Sequence, residues 1–196
     1  MTLPDGQFGA ILCDPPWSFL TYGKKRATPH RTAEDHYQTM THDDLVQIPV
    51  LSAAGKDCAL FMWVVDSHLD AAIDLGKAWG FDFKTIAFIW AKTTQKPKQF
   101  GFFPPETTHR IGMGYWTRKQ AEICLMFTRG KPRRIGKGVR QIIEAPRREH
   151  SRKPDEIHER IEALVAGPYL ELFARAPKKG WAVWGNETDK FREAAE

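Results

Sequence analysis

The chain has 196 residues, 42% of them hydrophobic and 27% charged, and a formal net charge of +5. This is enough apolar material for one α/β domain with a substantial core, and it excludes a collagen-like or low-complexity chain. No apolar run approaches the ~18 residues of a membrane span, no signal peptide is expected, and the three cysteines form no CxxC pair.

Cys13, Cys58 and Cys124 each lie in an apolar run and read as reduced core thiols of a cytoplasmic protein. The histidines show no metal-ligand spacing, so no metal site is expected. A net positive charge is what a protein with a polyanionic partner needs.

Phe8-Gly9-Ala10-Ile11-Leu12-Cys13 reads as a buried strand of a parallel sheet. It ends in Asp14-Pro15-Pro16-Trp17. Two prolines stop the ladder and stiffen the turn, and neither offers a backbone N–H. The turn therefore gathers a carboxylate, fixed carbonyls and an indole at the carboxyl end of a strand, where open α/β sheets bind ligands. An exocyclic amine on a flat ring fits such a corner, with Asp14 and the Pro15 carbonyl on its N–H groups and Trp17 on the ring. Enzymes that modify a base use pockets of this kind. The plainer reading is an ordinary Pro-Pro turn with Trp17 in the core.

A polar stretch over 22–41 reads as a lid or loop. Thr41-His42-Asp43-Asp44 caps a short helix that Pro49 ends. Ala59 to Val65 is a second buried strand, and Asp66-Ser67-His68 caps a helix closed by Gly80. Phe83 to Ala91 is a third strand and Glu122 to Phe127 a fourth, with a long loop over 92–120 between them. Another long loop, 129–152, is rich in Arg and Lys. A helix runs from Pro154 to about Ala166, with Pro154 in its first turn and Gly167 at its end. Tyr169 to Arg175 and Gly180 to Glu187 are the last two strands. Strands alternating with helices predict one α/β domain over 1–196, built on an open sheet.

Basic residues interleaved with aromatics hold single strands and flipped nucleotides, with cations on phosphates and rings on bases. All three loops have this character; Tyr115 and Trp116 are the candidate stacking residues. Lys153 lies just before a helix N-terminus, a position that suits a cation only if it binds an anion. Asn186-Glu187, after a strand and a glycine, can hold ribose hydroxyls or can equally form a turn.

In chain order, Asp14-Pro15-Pro16-Trp17, Tyr37 to Thr41, Phe61-Met62-Trp63-Val64, Trp90-Ala91-Lys92-Thr93, Arg152 to Ile157, Glu171 to Arg175 and Trp184-Gly185-Asn186-Glu187 make an ordered set. The set resembles the adenine-N6 methyltransferases related to the catalytic subunit of the eukaryotic messenger-RNA methyltransferase, and in particular their short bacterial and phage members. The resemblance covers nearly the whole chain. It implies a Rossmann-like S-adenosylmethionine-dependent fold in circularly permuted order, with a mostly parallel sheet and helices on both faces. By resemblance Asp14, Pro15, Pro16 and Trp17 are catalytic. Asp14, Lys153, Arg175, Asn186 and Glu187 hold S-adenosylmethionine; Trp17, Tyr115 and Trp116 hold the substrate. The implied substrate is adenine in DNA, with RNA and a catalytically silent nucleic-acid-binding subunit as the alternatives; the partner chain, if any, makes a homodimer or a heterodimer. Two departures stand out. The usual Gly-rich loop is absent after Phe173, and only seven residues precede Phe8, so by resemblance the cofactor's adenine end is expected to be held by something else, or more openly.

Overall fold

The computed structural model describes residues 2–17, 39–94, 109–112, 116–148 and 152–188. The expected loop over 22–41 falls mostly outside them, as does Tyr115.

Seven strands form one sheet: β1 (Phe8–Cys13), β2 (Ala54–Val64), β3 (Asp82–Thr93), β4 (Ala121–Arg129), β5 (Ile142–Pro146), β6 (Tyr169–Leu172) and β7 (Trp181–Trp184). Their order across the sheet is β5-β3-β4-β2-β1-β6-β7. Pairings β1–β2, β1–β6, β3–β5 and β6–β7 are parallel; β4 runs antiparallel to both β2 and β3. The sheet is thus mixed but mostly parallel.

Both faces are covered. Ile11 and Cys13 point into a core shared with α1 (His42–Val46), α2 (Val50–Ala53) and α3 (Leu69–Ala78), through Leu45, Ala53 and Leu75. Their neighbours Ala10 and Leu12 point the other way, against Ile157 and Ile161 of α4 (Glu156–Leu164). Side chains alternate across a strand, so a strand covered on both faces must be apolar throughout, as β1 is. Ile157 and Ile161 lie four apart and share one stripe of α4.

The chain leaves β1 for β2 through helices on one face and reaches β6, on the other side of β1, through α4 on the opposite face. The winding reverses between β1 and β6. A crevice opens at such a reversal, outside the strands' carboxyl ends. Here those ends are Asp14 after β1 and Phe173 after β6. The molecule has the Rossmann-like α/β fold expected, with the central strand first in the chain.

Several boundaries differ from the sequence reading. Thr41 caps α1 as expected, in a capping box with Asp44. The residues 66–68 form a 3₁₀ turn ahead of α3 rather than a side-chain cap. The stretch 129–152 is not all loop, because Ile142–Pro146 adds β5 to the edge of β3. Only Ile143 of β5 is fully buried while Ile142 is 54% exposed, so an edge strand of five residues leaves little apolar signal. The strand from Tyr169 stops at Leu172, because Phe173 turns into the left-handed region (φ 60°).

Candidate active site at the switch point

Two adjoining cavities open at the carboxyl ends of β1, β6 and β7. The first, about 480 Å³, is lined by Asp14, Lys153, His158, Glu171, Phe173 and Arg175 among others. The second, about 470 Å³, is lined by Asp14, Pro16, Met40, Arg175, Asn186 and Glu187 among others. Asp14, Phe173 and Arg175 belong to both walls, so the two form one bipartite cleft. All five residues that the resemblance gives to the cofactor line it.

Local backbone chemistry sets this geometry. The Trp17 N–H donates to the Pro15 carbonyl (2.9 Å) and the Met40 N–H to the Pro16 carbonyl (2.9 Å). The Pro-Pro turn is thereby fixed, and each carbonyl keeps a second lone pair. After β6, the Ala174 N–H donates to the Trp184 carbonyl (3.0 Å), which ties the β6 turn to the end of β7. Gly185 permits this approach, since a Cβ there would lie 2.8 Å from the Ala174 carbonyl oxygen. The left-handed Phe173 lines both cavities. Such a conformation costs a non-glycine residue of order 1–3 kcal/mol and clusters at functional sites.

Lys153 Nζ donates to Asp14 Oδ2 at 2.6 Å. The same ammonium lies 3.4 Å from Glu122 Oε2, and Lys92 Nζ holds Glu122 Oε1 at 2.5 Å. The result is an alternating chain, Asp14–Lys153–Glu122–Lys92, with the last three side chains 15–17% exposed. Burial alone would raise the Glu122 pKa, but Lys153 and Lys92 hold it down to about 2. Burial likewise works against the Lys153 charge, yet Asp14 and Glu122 keep its pKa well above the usual lysine value. Burial draws Lys92 below its ordinary value despite Glu122. The Cys13 and Cys124 thiols are pushed up by burial and are not thiolate nucleophiles.

On the far wall Arg175 Nε lies 3.7 Å from Glu187 Oε2. His158 Nε2 and Glu171 Oε2 are 2.8 Å apart, and the His158 ring meets Trp181 edge-on. Among the described residues, no group of three or more His, Cys, Asp or Glu is placed to hold a metal.

The structure does not bring every expected residue to the cleft. Trp17 is 6% exposed and packs in the core beside His68, at 5.8 Å between ring centroids. Trp116 is 92% exposed and lines neither cavity, and Tyr115 lies outside the described residues. Conversely, Glu122, Lys92, His158 and Glu171 were not anticipated. A signal existed for two of them: Glu122 and Glu171 each place a lone carboxylate in an otherwise apolar strand run, which is costly without a partner.

Comparison with known proteins is consistent with this geometry. The MT-A70 family model matches residues 8–187. The chain is 33% identical to the Type II methyltransferase M.MunI of a Mycoplasma species, over 94% of this chain and 79% of that protein. It is 30% identical to the N(6)-adenosine-methyltransferase MT-A70-like protein of Drosophila melanogaster and to the N(6)-adenosine-methyltransferase catalytic subunit METTL3 of Homo sapiens. It aligns along 95% and 94% of its own length with these two, but spans only 28% and 29% of theirs. The acidic corner at the switch point and the match along nearly the whole chain agree, and the chain belongs to the MT-A70 family of methyltransferases.

Proposed function

We propose that the protein transfers a methyl group from S-adenosylmethionine to the exocyclic N6 amine of adenine in DNA. The observation that carries this reading is the 2.6 Å pairing of Asp14 with Lys153 inside a cleft that Arg175, Asn186 and Glu187 complete.

The donor set suits the cofactor. A carboxylate beside an ammonium is complementary to an amino-acid zwitterion, so Lys153 takes the carboxylate of the methionine tail and Asp14 its amino group. Asn186 and Glu187, with Arg175 at their side, take the ribose diol, since a carboxylate accepts from hydroxyls and an amide both donates and accepts. When bound, S-adenosylmethionine supplies an electrophilic methyl group.

Adenine's amine is a poor nucleophile because its lone pair is delocalised into the ring. Asp14 and the free lone pair of the Pro15 carbonyl accept the two amine N–H groups and favour a pyramidal nitrogen. Asp14 also bears against the positive charge that develops there. Holding the nitrogen in line contributes up to about 7–11 kcal/mol in well-oriented systems. From its buried position Trp17 braces the turn, and Tyr115 and Trp116 meet neighbouring bases. The similarity to a type II methyltransferase favours DNA, and the N(6)-adenosine relatives favour this nitrogen. Cys13, Cys58 and Cys124 are free buried thiols, which suits the cytoplasm.

Unmodified duplex DNA and RNA of the same sequence, offered together with methyl-labelled cofactor, test the substrate. Label in DNA as N6-methyladenine is expected. Label confined to RNA would transfer the reading to the alternative substrate, and label in neither would refute both.

A further inference from the structure

The segment 131–140 contains five cations, Lys131, Arg133, Arg134, Lys137 and Arg140, and no acidic residue. All five are exposed, and none forms an ion pair with a carboxylate among the described residues. The segment is nevertheless anchored. The Ile135 and Gly136 N–H groups donate to the Leu164 carbonyl (2.9 and 3.5 Å), and the Lys131 N–H to Asp57 Oδ1 (2.7 Å). Arg160 of α4 donates to the Arg140 carbonyl, and Val139 packs on the α4-side core. Gly136 passes so close to the last turn of α4 that a Cβ would meet the Ala163 carbonyl at 2.1 Å. These contacts turn the segment into a fixed cationic ridge. Of the α4 carboxylates, Glu156 is held by Arg160 and Glu162 by the Trp181 indole, leaving Glu159.

Strand register places the ridge away from the base pocket. It leaves β4 at Arg129, which pairs with Cys58 of β2, one residue before the partner of Ala10 near the amino end of β1. It climbs along α4 to Ile142, which pairs with Ile89 at the sheet edge. The strand end it leaves, Arg129, lies about 15 Å from Asp14 along the strands and two strands over; the strand it enters, β5, lies four strands over. Both separations come to about 20 Å, roughly the length of six base pairs. Exposed cations on an anchored backbone, in no ion pair among the described residues, fit a run of phosphates at this distance.

We infer that the 131–140 ridge is a second nucleic-acid contact, which binds the phosphodiester backbone of the substrate roughly six base pairs from the adenine in the cleft. This rests on the proposed function, and it makes substrate length a determinant of affinity.

The test is a variant carrying Lys131→Gln, Arg133→Gln, Arg134→Gln and Lys137→Gln, compared with the unaltered protein on duplexes of 6 and 20 base pairs carrying a central adenine. Binding is read by fluorescence anisotropy over a salt series, and methylation separately. The unaltered protein should bind the longer duplex at least tenfold more tightly. The variant should lose most of that advantage, with a salt slope lower by about 2–4 and unchanged binding of the short duplex. A variant with the same length dependence and salt slope as the unaltered protein would overturn the ridge. So would an unaltered protein with no preference for the longer duplex. Ridge-dependent binding without methylation of any adenine would sustain the ridge and refute the proposed reaction, so the two claims fail separately. Intact cofactor binding by the variant shows that it folds.

Discussion

Glu122 does the least visible work of the residues around the cleft. It touches neither cavity wall among the lining residues, yet it shares its carboxylate between Lys153 and Lys92. Without it Lys153 would be left with Asp14 alone. We expect Glu122→Gln to cost about 3 kcal/mol at neutral pH, because two buried ammonium groups lose their common partner. The pH dependence has a definite sign. The folded pKa is about 2 against an ordinary 4.5, so the ionised carboxylate stabilises the fold above pH 4.5, and that contribution is lost as pH falls toward 2. Urea unfolding at pH 6, 4 and 3 should therefore show the gap between unaltered and Glu122→Gln proteins shrinking with acidification. A gap that stays constant over that span would contradict the buried ion chain.

Two turns, after β6 and after β7, are tied to each other and line one cavity with the Pro-Pro turn after β1. Their fit depends on Gly185. Gly185→Ala places a methyl group 2.8 Å from the Ala174 carbonyl and must separate the two turns or tilt one of them. The strands beneath are untouched, so the fold should persist. Cofactor affinity should fall at least tenfold by calorimetry, with a melting temperature within a few degrees of the unaltered protein. Undiminished affinity would mean that the turns do not cooperate in binding.

At this scale the sequence was informative where chemistry is local. Asp14-Pro15-Pro16-Trp17 follows an unbroken apolar run, so a carboxylate at a strand end is legible from order alone. The Thr41–Asp44 capping box is legible in the same way. β5 was not, because an edge strand with one buried side chain has no periodicity to read. Nor was the depth of Trp17, since burial of an indole depends on what packs over it, here His68 and the core behind α1 and α3.

For the whole molecule, the decisive feature is the reversal of winding between β1 and β6. It brings Asp14, from the first strand, beside Lys153, 139 positions later in the chain. Spacing along the chain cannot reveal such a meeting; an ordered set of motifs shared with a family can, because the family has already solved the same topology. Charge is organised at this scale as well. The paired cations Lys92 and Lys153 sit inside at the carboxyl end of the sheet, while those of 131–140, in no ion pair among the described residues, run along α4 outside. One set holds the carboxylates beside the cleft, and the other faces solvent.

In the proposed reaction Asp14 holds the amine that is methylated. The most direct measurement compares the unaltered protein with Asp14→Ala under single-turnover conditions, using methyl-labelled cofactor and unmodified duplex DNA, with nucleosides analysed after digestion. N6-methyladenine is expected from the unaltered protein, with at least a thousandfold slower rate for the folded variant, which lacks both the positioning and the electrostatic contribution. A folded Asp14→Ala protein that still forms N6-methyladenine at a comparable rate would contradict this role of Asp14.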